Sequence, residues 1–195
     1  MKTAKKNTML SLDRDKTVKN MSSRRSGSLR SDYIAFMGVM LALAAALSAL
    51  ESHICAAMPF GIRIGLANII VMFTLMVRDA RSAFCLVILK SLFVFLTRGM
   101  VAGIMSLCGG GLSFALICLL YKRTSVSVLM MSVLGGIMHN CAQLGAAYLL
   151  YRMPGLVNYL PLLAASGLGA GIATGSLLAL LLRTDAAMKL RRGGQ

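Results

Sequence analysis

The sequence predicts an all-α integral membrane protein, a six-transmembrane-helix bundle with both the N- and C-termini cytoplasmic. Three observations predict it. The 195-residue chain is 57% hydrophobic with a mean hydropathy of +0.76, well above an ordinary soluble domain. Its apolar runs approach or exceed the ~20 residues a helix needs to cross a ~30 Å hydrocarbon layer. The basic residues are distributed unevenly between the two sides that six crossings define. Seventeen of the 21 Lys and Arg fall on inside segments, Arg63, Arg98 and Arg152 fall outside, and Lys90 lies within a span. Even without the nine of the N-terminal tail, the inside leads eight to three, as the positive-inside rule requires.

The elements follow in order. Residues 1–32 are rich in Lys, Arg, Ser, Thr and Asn and hold no apolar core, which predicts a disordered basic cytoplasmic tail. Its cations either touch anionic headgroups or only fix orientation. The membrane domain covers residues 33–182. Its first span, 33–50, is free of charge and places Gly38, Ala42 and Ala46 at four-residue spacing. Small residues so spaced admit a neighbouring helix closely, either a partner's or one of the same bundle. Residues 51–63, with Pro59 and Gly61, read as a loop. The second span, 64–77, has only 14 residues, about 21 Å of helix, and must borrow from its flanks. It carries Asn68.

Arg78 to Arg81 form a polar turn, and the third span, 82–97, is interrupted near its middle by Lys90. An ammonium at mid-depth must face the bundle interior or an aqueous cavity unless the helix sits off-centre and the lysine snorkels. The fourth span, 101–121, holds Gly109-Gly110-Gly111 at its centre. Three glycines weaken a helix by about 1 kcal/mol each relative to alanine, so either a neighbour packs closely there or the helix unwinds. The fifth, 124–151, is a run of 28 residues without Lys, Arg, Asp or Glu. In its middle His139 and Gln143 share a face one turn apart, with Asn140 beside them. Residues 152–161 read as a loop with a turn at Pro154-Gly155. The sixth span, 162–182, repeats glycine at 167, 171 and 175. Residues 183–195 are a short basic cytoplasmic tail.

The chemistry present narrows the function. The net charge of +15 invites a nucleic-acid reading, but the cations sit in the tails and between apolar runs, so no nucleic-acid partner is expected. There are six carboxylates, none paired to hold magnesium against a diphosphate, and no GxxxxGK[ST] loop to bind ATP. His53 and His139 lie on different segments, and no serine has a His–Asp partnership. The five cysteines show no metal-site spacing, and four lie inside apolar runs. The expectation is no enzyme, no cofactor and no metal.

What remains is a polar set on an apolar scaffold: Asn68, Lys90, His139, Asn140 and Gln143, with Glu51 and Arg63 near the outer mouth. Such a set either binds a small polar solute, an anion included, or supplies interhelical hydrogen bonds that hold the bundle together.

These residues fall in motifs that resemble a known family. Leu50-Glu51 ahead of Pro59, GIRIGLANI at 61–69, GGGLS at 109–113 and HNCAQL at 139–144 resemble the bacterial Gx transporter family, which also carries the name heptaprenyl diphosphate synthase component I. The likeness covers residues 33–182. It implies a six-helix protein of the bacterial cell membrane, similar to the substrate-binding S components of energy-coupling factor (ECF) transporters. Those bind a micronutrient and dock, through small residues of the first helix, onto a transmembrane subunit driven by two ATPases. Here the corresponding docking positions are Gly38, Ala42 and Ala46. In the family the mid-membrane base ahead of the glycines is often arginine, and Lys90 keeps its charge without the bidentate fork. The resemblance thus implies a membrane-embedded substrate-binding and transport subunit for a small solute, energised by partner subunits. The alternative is the one the second name implies: a non-catalytic membrane component of isoprenoid (heptaprenyl diphosphate) synthesis with a soluble prenyl-transferring partner. This chain carries no DDxxD-type aspartate cluster of the sort such synthases use.

Overall fold

The structure, a computed structural model, describes residues 31–53 and 65–184. Both expected tails, apart from a few residues at their inner ends, and the stretch containing Pro59, Gly61 and Arg63 lie outside the described residues. The chain divides into two compact units, residues 1–39 and 40–195. All regular structure among the described residues is helical. In chain order it consists of α1 (Ser31–His53), α2 (Asn68–Val77), α3 (Ala80–Arg98), α4 (Met100–Arg123), α5 (Val128–Tyr151), a 3-10 segment (Pro154–Tyr159) and α6 (Leu160–Leu181).

Five of these helices, with α6 taken together with its 3-10 lead-in, are long and apolar enough to cross a membrane. This is a multi-pass membrane protein. The second expected span is realised as α2, a helix of 10 residues or about 15 Å, too short to cross by itself. Large apolar side chains cover the outside as well as the core: Leu96 and Leu149 are about three-quarters exposed, while Leu86, Val94 and Leu178 are fully buried. A water-soluble bundle would not display such a surface; a lipid-facing one must.

Helix ends follow local chemistry. Asp79 caps α3 by accepting from Ser82 N at 3.1 Å, and Ser127 caps α5 by accepting from Met130 N at 3.3 Å. Gly99, at φ 89°, is the sole residue between α3 and α4, a backbone state that favours glycine and turns the chain straight back. Two expected loops begin or end differently. Glu51 to His53 continue α1, with Ser52 Oγ donating to Ala49 O at 2.6 Å, because the helix runs one turn beyond its apolar stretch. The 152–161 segment is largely the 3-10 segment leading directly into α6, with Pro154 and Pro161 in opening positions where no backbone N–H is needed.

Within residues 40–195, consecutive helices pack in order: α2 on α3, α3 on α4, α4 on α5, α5 on α6, with α2 also touching α4 and α6. The α5–α6 seam is the closest. A Cβ at Gly136 would stand 2.6 Å from Gly167 O, and one at Gly171 would stand 2.5 Å from Val133 Cα. The glycine repeat of α6 is therefore spent on α5. The Gly109–Gly111 run does not break α4, which is continuous; Gly109 and Gly110 are packed against neighbours and Gly111 faces open space.

Candidate functional site

Lys90 is the eleventh of 19 residues in α3, so it stands near mid-depth, and it is buried at 4% exposure. Its Nζ donates to Asn68 Oδ1 at 2.8 Å, across from α3 to the first residue of α2. On α5, Gln143 Nε2 lies 3.1 Å from His139 Nε2, one turn back on the same face, and both side chains are buried. With the amide nitrogen donating, the imidazole accepts at Nε2.

Glycines join these two pairs. The position of a Cβ on Gly109 is 2.7 Å from Gln143 Cγ and 3.0 Å from the His139 ring, and that on Gly110 is 3.9 Å from Lys90 Nζ. Two adjacent residues of α4 thus face the lysine on one side and the histidine pair on the other, and the approach to the histidine pair leaves no room for a side chain at Gly109. Gly65, at φ 82°, closes the group: its Cβ position is 3.4 Å from Asn68 Nδ2 and 3.5 Å from His139 Cδ2. Gly65 O accepts from Asn68 N at 2.9 Å, the turn that opens α2. The Gly65 N–H donates to the carboxylate of Glu51, itself buried at 3% exposure.

Of the five residues singled out in the sequence, the structure brings Asn68, Lys90, His139 and Gln143 together. Asn140 is directed elsewhere. One residue on from His139, it points about 100° round the helix, and its Nδ2 donates to Leu163 O at 2.9 Å and Ser166 Oγ at 3.0 Å, both on α6. Asn140 Oδ1 is buried with no hydrogen-bond partner among the described residues. Glu51, placed near the outer mouth from the sequence, joins the cluster through Gly65, a residue the sequence did not single out. The signals were a carboxylate straight after an 18-residue apolar span and a glycine heading the Leu-Ala-Asn stretch.

The set offers an ammonium, two amides, an imidazole and a backbone turn, a donor-rich surface suited to orienting a small polar molecule by hydrogen bonds. No group of three His, Cys, Asp or Glu side chains gathers as metal ligands among the described residues. The expected docking positions Gly38, Ala42 and Ala46 are all exposed, whereas Ala44, Ser48 and Glu51 of the same helix are buried. A separate apolar groove of about 230 Å³ lies between α3 and α4, lined by Ile88, Leu92, Phe95 and Ile104 among others; it shares none of the site residues.

A family model described as heptaprenyl diphosphate synthase component I matches residues 40–181, a range that contains Glu51, Gly65 and all five residues above. Comparison with curated proteins and with solved structures gives no match.

Proposed function

The chain belongs to the heptaprenyl diphosphate synthase component I family, and from that premise we propose that it is a membrane-embedded substrate-binding and transport subunit for a small polar solute, energised by partner subunits. One observation carries the reading: Lys90, buried at mid-depth, is held by Asn68 beside the glycine face that also abuts His139 and Gln143. An ammonium at the centre of a membrane helix costs about 2.5–3.5 kcal/mol on insertion scales, an expense that bundle stability alone does not require. In this reading Lys90 meets an acidic group of the solute, and Asn68, His139 and Gln143 orient its remaining polar atoms. Asn140 belongs to the α5–α6 seam.

The solute enters from the outer face of a bacterial cell membrane, crossed six times, with both termini cytoplasmic. Energy comes from an ECF-type transmembrane subunit and its ATPases. They dock on the exposed Gly38–Ala42–Ala46 face, where small side chains let a second helix approach.

Native mass spectrometry of the protein, tagged and purified in mild detergent, tests this. A retained small molecule, or a membrane subunit arriving with ATPases, is the expected result. Lys90→Ala, His139→Ala and Gln143→Ala should each weaken binding of that molecule about tenfold or more, the worth of one charge-assisted hydrogen bond. Undiminished binding in all three would remove the site.

A second reading has the family description in its favour, since it names a component of a synthase. The chain would then be a non-catalytic membrane component of heptaprenyl diphosphate synthesis. A soluble prenyl synthase in the same preparation, with no bound solute, would select it.

A further inference from the structure

We infer that Glu51 is a further member of this site: a positioning residue that holds Gly65 and so makes the C-terminal end of α1 the clasp of the solute site. The inference rests on the binding role proposed for the cluster, but its first readout does not depend on any solute.

Glu51 occupies the last turn of α1, and its buried carboxylate accepts the backbone N–H of Gly65, fourteen residues along the chain. A carboxylate withdrawn from water makes strong, short-range hydrogen bonds, so this contact fixes its donor tightly. What it fixes matters. Gly65 sits in the left-handed region, heads the turn into α2, and lies so close to Asn68 Nδ2 and His139 Cδ2 that a Cβ added there would meet both at ordinary contact distance. Asn68 in turn accepts from Lys90. Releasing Gly65 therefore frees the residue that seats the lysine and uncovers one edge of the imidazole in a single movement.

The geometry of α1 says what would release it. Ala44, Ser48 and Glu51 are buried on one stripe of the helix, and Ala42 and Ala46 are exposed on the other; two residues, about 200°, separate Ala46 from Ser48. On the buried stripe the Ser48 carbonyl accepts from Arg98 Nη2 at the end of α3, one turn before Glu51 meets Gly65. The end of α1 is thus tied at two points beside the site, while the face opposite those ties is open to a partner. A helix gripped on one face moves as a rod, and a shift of an ångström or two is enough to part a hydrogen bond. Docking on Ala42 and Ala46 would thereby loosen the Glu51–Gly65 clasp and open the site.

The test is hydrogen–deuterium exchange on the full-length protein in lipid nanodiscs, comparing wild type, Glu51→Ala and Glu51→Gln. Glutamine retains a carbonyl to accept from Gly65; alanine does not. Exchange across residues 65–70 should rise about tenfold or more in Glu51→Ala, stay near wild type in Glu51→Gln, and remain unchanged in α4 to α6 in both. If Glu51→Ala does not yield folded protein, Glu51→Asp, which shortens the reach by one methylene, should give the same local rise at smaller amplitude. Unchanged exchange at 65–70 in the alanine and aspartate variants, or a rise spread evenly over all helices, overturns the clasp. The local pattern with neither a solute nor an ATPase-bearing membrane subunit in native mass spectrometry would keep the clasp and refute transport. A bound solute whose affinity ignores Glu51→Ala would do the reverse.

Discussion

At Lys90 the sequence and the structure meet most directly. The interruption of an apolar run by one lysine left two outcomes, snorkelling or the interior, and the 2.8 Å bond to Asn68 at 4% exposure decides for the interior. Function and stability should separate here. Lys90→Met replaces a buried cation by an apolar chain of similar length, which is often neutral or stabilising by about 1 kcal/mol, yet it should abolish solute binding. Asn68→Ala, by contrast, takes an acceptor from a lysine that stays buried and should lower stability by about 1–3 kcal/mol in detergent unfolding. Asn140→Ala makes the complementary case. It removes two donors from the α5–α6 seam and should cost about 1–2 kcal/mol while leaving solute affinity unchanged. Asn140 was grouped with His139 because they are neighbours in sequence. Which helix stands 100° round from a histidine is a fact of packing that adjacency does not encode. Glu51 was legible near the outer mouth but its pairing with Gly65 was not, for a related reason: their hydrogen bond spans fourteen residues, including a stretch with no apolar periodicity to mark its path.

The helices divide their glycines between two kinds of work. Along α6 the four-residue repeat was legible as a close-packing face, and Gly167, Gly171 and Gly175 are indeed set against the α5 backbone. In α4 three identical neighbours gave no hint of which mattered, because one residue step turns a helix by about 100° and only the packed bundle says what each direction meets. The structure separates them. A Cβ on Gly111 meets nothing within 4 Å, and one on Gly109 runs into Gln143 Cγ at 2.7 Å. Gly111→Ala should therefore stabilise the protein by up to about 1 kcal/mol through helix propensity alone. Gly109→Ala should displace Gln143 and the His139 ring and weaken solute binding more than it lowers the melting temperature. Gly136→Ala, whose Cβ meets the Gly167 carbonyl, should instead cost about 1–3 kcal/mol by forcing α5 and α6 apart, with thermal unfolding as the readout.

For the whole molecule, the question is how often the chain crosses, and α2 is where it turns. By length, α2 is no span, and hydropathy alone would leave five crossings and termini on opposite sides. The tertiary bonds argue otherwise. Glu51 near the end of α1 meets Gly65 at the start of α2, and Ser48 meets Arg98 at the end of α3. The C-terminal ends of α1 and α3 therefore share a side, so the chain between them must return to the other side, and α2 is the only described helix available to carry it there. Asn68 at its head bonds Lys90 at the middle of α3, which places the start of α2 near mid-depth and its ten residues across the remaining half. A half-depth helix is tolerated there because it is covered by protein: eight of its ten residues are buried. This is the return that the proposed six crossings, with both ends inside, require. The consequence is direct to measure. A fluorescent protein fused after Gln195 should glow in cells and alkaline phosphatase at the same point should be inactive. A cysteine at Gly155, in a background freed of the native five, should react with an impermeant maleimide added outside, and one at Thr124 should not. The opposite labelling pattern, or an active phosphatase at the C-terminus, would mean that α2 does not return the chain and that five crossings stand.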